Sequence, residues 1–227
     1  MTEVKIIVTE DGSHSLYHAE LNETYHSFHG AVQESRYVFL KEGLDFLRSS
    51  FDLDRIRVLE IGFGTGLNAI LTSEWAVANQ VKIEYTTLEP FPLKSDVFEA
   101  LNYHEFFEDK TVKERFLELH NAAWEQEFLQ NEFFTILKTE AKLQDFKSDS
   151  LFDIVFFDAF APSKQSEMWD LEVIEKTASL LDSNGVFVTY CAKGQLKRDL
   201  KGVGLTVETL PGPPGKKEMV RGVKCRG

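Results

Sequence analysis

Apolar and polar positions along the chain change period repeatedly. Residues 4–18, VKIIVTEDGSHSLYH, alternate about an Asp11-Gly12 pair, which predicts an N-terminal β-hairpin. Tyr37, Val38, Leu40, Leu44 and Leu47 recur at near-helical spacing between Glu34 and Ser49. From there strand and helix patterns follow one another. RIRVLEIG (55–62), KIEYTTLE (82–89), EFFTILKTE (132–140), LFDIVFFDA (151–159) and GVFVTYCA (185–192) read as strands. Residues 67–79, 92–103, 111–131, 168–181 and 194–204 read as helices, the fourth closed by a turn at Asp182–Gly185. LTVETL and EMVRGVKC flank the turn PGPPGKK and predict a closing hairpin. This alternation implies an α/β fold with a largely parallel, doubly wound sheet. Ligands in such sheets bind beyond the carboxyl ends of the strands, near the point where strand order reverses.

The chain of 227 residues suits one α/β domain with a small addition, and 43% hydrophobic content can fill a core. The division expected is residues 1–50 as a hairpin-and-helix extension and 51–227 as the main domain. No apolar run reaches the length of a membrane span, and the N-terminus has no signal-peptide pattern, so a cytoplasmic protein is expected. Cys191 and Cys225 form no CxxC pair, and no His or Cys spacing suggests a metal site. The net charge is −12, yet Lys193–Gly227 carries nine Lys/Arg against three Asp/Glu. The preceding residues are therefore at about −18, and the basic segment is either a local phosphate-binding face or a solvated sheet edge.

Three strand ends carry candidate chemistry. VLEIGFGTGLN follows a strand and opens a helix, with Gly62, Gly64 and Gly66 spaced G-x-G-x-G and Asn68 next in the same motif. Such a turn lets a ligand approach the backbone without a Cβ clash. Glu60, two residues before it, puts a negative charge beside the loop and favours a ligand with an amino group over one with phosphates. Glu89 ends the next strand, where an acid accepts hydrogen bonds from ribose hydroxyls. Glu140 ends the third strand, within reach of an adenine amine. A small adenosine-containing cation fits all three, and S-adenosylmethionine (AdoMet) is the candidate cofactor. A fourth strand exits into Asp158, flanked by Phe157 and Phe160 and followed by Pro162 and Trp169.

EIGFGTGLN, FFDAFAPSKQSEMW, LPGPPGKKEMVRG and the segment Tyr25–Leu40 together resemble the bacterial tRNA 5-methylaminomethyl-2-thiouridine methyltransferase family, over about Tyr25 to Gly222. The resemblance implies a class I methyltransferase fold, a seven-stranded Rossmann-like sheet ending in an antiparallel hairpin. It implies methyl transfer from AdoMet to the 5-aminomethyl group of 5-aminomethyl-2-thiouridine at tRNA wobble position 34. The glycine motif matches Gly62, Gly64 and Gly66, the ribose acid matches Glu89, and the catalytic acid matches Asp158. The family's usual Lys-Arg-Glu-Met is here Lys216-Lys217-Glu218-Met219, which keeps charge but loses the guanidinium fork. No second glycine motif follows, so a stand-alone form is expected, with a separate FAD-dependent oxidase or aminomethyl-installing enzyme as partner.

Asp158 would then accept a hydrogen bond from the amine and aim its lone pair at the methyl group, with Phe160 and Trp169 facing the cationic amine or the uracil. Lys193, Lys197, Arg198, Lys216, Lys217 and Arg221 would meet phosphates. Full proton transfer from an alkylammonium near 10.4 to an aspartate near 3.9 is uphill by roughly 8–9 kcal/mol. Asp158 is therefore expected to orient the amine and hold its proton only transiently. Three other readings stay open. One is an aminopropyltransferase acting on a polyamine, one a non-catalytic nucleotide- or RNA-binding module. In the third, Asp158 merely caps the loop that follows it.

Overall fold

The computed structural model describes residues 4–51 and 53–225. Strands β1 (Val4–Val8), β2 (His14–His18) and β3 (Glu23–Thr24) form a small antiparallel sheet in the order β1-β2-β3. Asp11 fixes the first turn by accepting from the Ser13 amide at 3.0 Å, and Gly12 takes φ 85° there. Helix α1 covers residues 31–50, with α-helical turns at both ends and a π-helical middle, Arg36–Asp45. Its buried residues Val38, Phe39, Gly43 and Leu44 pair off five apart, which matches i→i+5 winding and keeps them on the sheet-facing side.

The main sheet alternates with α2 (Leu67–Asn79), α3 (Ser95–Phe98), α4 (Val112–Asn121), α5 (Leu171–Leu180) and α6 (Gly194–Gly202). Its strands are β4 (Arg55–Ile61), β5 (Lys82–Leu88), β6 (Glu127–Asn131), β7 (Phe134–Thr139), β8 (Phe152–Phe157), β9 (Leu181–Thr189), β10 (Leu205–Pro211) and β11 (Glu218–Lys224). They lie in the order β10-β11-β9-β8-β4-β5-β7-β6. β9, β8, β4, β5 and β7 run parallel, β10 and β11 form the antiparallel hairpin, and strand order reverses between β4 and β8.

Three local expectations are corrected. The helix predicted over 111–131 stops at Asn121, because Ala122 is extended and Glu125 adopts φ 60°; the alternating residues after it become β6, paired antiparallel with β7. The sheet thus has eight strands among the described residues, not seven. The helix predicted over 92–103 shrinks to α3, and a 3₁₀ turn, Tyr103–Phe106, follows. Asp182–Gly185 lies inside β9 as an irregularity, with Asn184 at φ 65°, rather than before the strand.

Both faces of β8 are sealed. Ile154 and Phe156 join the core under α1, α2 and α4, while Val155 and Phe157 join the core under α5 and α6. Phe156 and Phe157 are each fully buried, worth about 1.5–3 kcal/mol apiece. A strand buried on both faces reads as a continuous apolar run, as IVFF does at residues 154–157. Leu16, Ala31, Val32 and Leu47 of the first fifty residues belong to the first of these cores, so the extension is welded to the sheet. No described helix is long and apolar enough to cross a membrane.

Candidate active site

The site grows from the reversal in strand order. β4 runs into Gly62, and the Gly62 amide donates to Leu88 O at 2.9 Å, tying the loop to the end of β5. Gly62 has φ 96°, and a Cβ there would stand 3.1 Å from the Asp158 carbonyl oxygen. Gly66 has φ 71°, and a Cβ there would lie 2.6 Å from His120 Nε2. Only glycine satisfies both the dihedral and the contact. Gly64 donates its amide to Glu89 Oε2 at 2.9 Å, and Phe91 donates to Oε1 at 2.9 Å. These two bonds pull the Glu89 carboxyl down while burial, the larger influence, pushes it up.

Asp158 leaves β8 beside this loop, and its own amide donates to Ile61 O at 3.2 Å. Asn68 Nδ2 donates to Asp158 Oδ2 at 2.9 Å. Burial, reinforced by the negative Glu34, raises the Asp158 carboxyl to about 7, against the pull of Asn68 and Lys216. The following loop is pinned three times. Tyr190 donates to Ala159 O at 2.8 Å, Trp169 Nε1 to Phe160 O at 2.7 Å, and the Phe160 amide to Gln165 Oε1 at 3.2 Å. The Phe160 ring meets Tyr25 edge-on at 5.0 Å and His18 at 5.9 Å. Tyr25 also stands over Gly64, so the extension roofs the space between the glycine loop and Phe160.

Glu60 lies under this site rather than in it. It is fully buried, accepts from Thr87 Oγ1 at 2.7 Å, and is pushed up to about 8 by burial. The carboxyl expected beside the loop is therefore turned into the core against Thr87. Glu60 Oε1, Asn68 Oδ1, Thr72 Oγ1 and the Tyr85 hydroxyl are buried without hydrogen-bond partners. Asn68 serves Asp158 through the partnered half of its amide. Trp169 is 8% exposed and packed on Phe157 and Tyr190, which makes it a prop for the loop and not a face for substrate. Glu140 is exposed at the end of β7.

The six nominated cations separate. Lys197 pairs with Glu218 at 2.8 Å. Lys216 pairs with the buried carboxylate of Glu34. Arg221 is 7% exposed, lies 3.5 Å over the Phe46 ring and pairs with Glu42 and Glu208. Lys216 and Arg221 are committed inside the protein and are withdrawn from the phosphate face, while Lys197 stays partly exposed in an ion pair at the surface. Lys193, Arg198 and Lys217 remain exposed. Glu34, Tyr25 and Tyr190 went unassigned from sequence; Glu34 and Tyr25 stood within the Tyr25–Leu40 segment, but nothing local marks a helical glutamate as buried.

The cradle suits AdoMet. The glycine loop is open-backed where a Cβ would clash, and Glu89 and Asp158 flank it at neighbouring strand ends. Among the described residues there is no group of three His, Cys, Asp or Glu able to hold a metal.

Comparison with known proteins agrees with this geometry. Residues 104–225, more than half of the chain, match a family model described as S-adenosyl-L-methionine-dependent methyltransferase. The chain is 32% identical over 220 residues to the tRNA 5-methylaminomethyl-2-thiouridine biosynthesis bifunctional protein MnmC of Pseudoalteromonas atlantica, covering 89% of this chain and 31% of that protein. The Vibrio campbellii protein of the same name is 28% identical over 223 residues, with 89% and 33% covered. The chain thus spans about a third of the length of these relatives. The crystal structure of MnmC2 from Aquifex aeolicus superposes with a TM-score of 0.78 at 25% identity, covering all of this chain and 71% of that one. The chain belongs to the S-adenosyl-L-methionine-dependent methyltransferase family, and AdoMet is its cofactor.

Proposed function

We propose that this protein methylates the amino nitrogen of 5-aminomethyl-2-thiouridine at tRNA wobble position 34, giving 5-methylaminomethyl-2-thiouridine. The observation that carries the reading is Asp158, a carboxyl raised to about 7 at the switch point beside the glycine loop. The names of the MnmC relatives support the choice of acceptor. Residues 51–227 serve as the methyltransferase domain and residues 1–50 as an extension over its site. Glu89 takes the ribose hydroxyls, Gly62, Gly64 and Gly66 admit the cofactor backbone-close, and Glu140 meets the adenine.

AdoMet, when bound, supplies an electrophilic methyl group on a sulfonium. The acceptor nitrogen must present a lone pair to it. Asp158 accepts a hydrogen bond from the amine and fixes the direction of that lone pair, with Phe160 and Tyr25 bounding the slot. That lone pair would take the methyl group of bound AdoMet, and the proton the nitrogen then sheds would pass to Asp158 or to water. The gap from an alkylammonium near 10.4 to a carboxyl near 7 is roughly 5 kcal/mol, against the roughly 8–9 kcal/mol of an ordinary aspartate. The sulfonium of bound AdoMet would narrow it further, since like charges disfavour each other. Burial thus makes Asp158 a better proton acceptor than an ordinary aspartate, beside its role as an orienter. Lys193, Arg198 and Lys217 meet tRNA phosphates. An FAD-dependent oxidase is the proposed partner activity, and the cytoplasm the proposed compartment.

The test is mass analysis of tRNA nucleosides after incubation of undermodified tRNA with protein and methyl-labelled AdoMet. The label should appear in 5-methylaminomethyl-2-thiouridine alone. Label in another nucleoside, or none in tRNA, overturns the acceptor.

A further inference from the structure

Lys216 was expected on a phosphate face, yet it points inward. Its Nζ pairs with Glu34 Oε1 and stands 3.7 Å from the centroid of the Tyr190 ring. Glu34 is 5% exposed, and its second oxygen accepts from the Ser27 amide at 2.7 Å. The pair joins helix α1 to the turn between β10 and β11, from partners 182 residues apart. Tyr190, under the ammonium, donates its hydroxyl to Ala159 O, the carbonyl next to Asp158. A path of direct contacts therefore runs from Glu34 through Lys216 and Tyr190 to the loop that carries the transfer chemistry.

The same two side chains supply the charge that Asp158 feels. Glu60 from β4, Tyr85 from β5, Tyr103 from the 3₁₀ turn and Tyr190 just beyond β9 also lie within electrostatic reach of it. Burial raises the Glu60 carboxyl to about 8, and the three tyrosines are raised further from ionising. His26, near both Glu34 and Lys216, is lowered to about 4 and carries no charge above that. Asn68 is a neutral donor. The charged side chains acting on Asp158 are thus Glu34 and Lys216.

We propose that Glu34 and Lys216 are positioning residues of the transfer site, an ion pair that holds the Asp158 loop through Tyr190 and places one charge of each sign within electrostatic reach of Asp158. The proposal rests on the reading of Asp158 as acceptor of the amine proton. Its two halves act in opposite directions. Glu34 disfavours the carboxylate and Lys216 favours it. A pair that only braced the loop would affect Asp158 in one direction whichever partner was lost.

The experiment compares Glu34→Gln with Lys216→Gln in the full chain. The Asp158 carboxyl is titrated by carbon-13 NMR, assigned with Asp158→Asn, and single-turnover methyl transfer to tRNA is followed against pH. Glu34→Gln should move the Asp158 titration and the acid limb of the rate down by about half a pH unit or more, and Lys216→Gln should move both up by a similar amount. AdoMet affinity should stay within a few fold in each, certifying the fold. Either variant alone carries the test if the other does not fold. An unmoved titration, or shifts of the same sign, overturns the proposal. Opposite NMR shifts with no methyl transfer to tRNA in any form, wild type included, would leave the ion pair's role standing and remove the tRNA acceptor.

Discussion

At the carboxyl edge of the sheet, Glu89 and Asp158 take their donors from Gly64, Phe91 and Asn68, groups on the same or a neighbouring strand-loop-helix unit. In the C-terminal segment, Lys216 and Arg221 take their partners from helix α1, at the far end of the chain. The first region keeps its carboxyls beside a ligand cradle. The second spends two of its six nominated cations on contacts with that helix. A charge count therefore measures what a surface could hold, and burial and pairing decide what it offers a partner.

The sharpest way to break this contrast is at Asp158. Asp158→Asn should keep AdoMet affinity within a few fold and lower kcat by about two orders of magnitude or more, read by single-turnover transfer. A variant working at the wild-type rate would reduce Asp158 to a loop cap. Glu89→Ala comes next. Losing charge-assisted bonds should weaken AdoMet by about 1.5–3 kcal/mol, tenfold to a hundredfold by calorimetry, while unchanged binding would move the cofactor elsewhere.

Two paired variants then sharpen the contrast among the cations. Arg221→Met strands Glu42 and Glu208 and removes a cation from the Phe46 ring. It should cost about 1–3 kcal/mol in urea unfolding with the salt dependence of tRNA binding untouched. Lys193→Glu with Lys217→Glu should do the reverse. The tRNA KM should rise roughly threefold to tenfold, and the salt slope should flatten by about two contacts, with the thermal midpoint unmoved. If the two outcomes exchange places, the division of the cations is wrong.

The smallest effect is on stability against pH. Folding raises the Asp158 carboxyl from 3.8 to about 7, so the folded state binds this proton more tightly than the unfolded chain. That contribution is complete below about pH 4 and is lost as pH rises through about 7. Asp158→Asn should therefore be more stable than wild type at pH 8, on the order of 1 kcal/mol after allowance for solvent screening, with the advantage gone at pH 4. An equal difference at both pH values would show that the carboxyl is not strained by its surroundings.

Much of the site was readable because it is local. The glycine loop, Glu89 and Asp158 each follow an apolar strand run directly, and backbone sterics allow few alternatives there. Glu60 misled because its sequence position beside the loop says nothing of its depth; the strand's alternation turns it into the core against Thr87. Trp169 misled likewise, since an aromatic near a catalytic loop can face substrate or prop the loop, and the bond from its indole to Phe160 O selects the prop. The helix predicted over 111–131 overran because Thr111–Asn121 is genuinely helical and the switch to β6 depends on an available edge at β7.

By itself, then, the sequence determined the alternation of strands and helices, the turn residues and the acids at the strand ends. Side-chain period and backbone dihedral limits act over a few residues and are written in order along the chain. The tertiary structure alone decided which charges are free. Glu34 looks like any helical glutamate and Lys216 like any turn lysine until folding brings residues 182 apart into contact and removes water from between them. Coulomb energy depends on distance through space and on the surrounding dielectric, neither of which the order of residues contains.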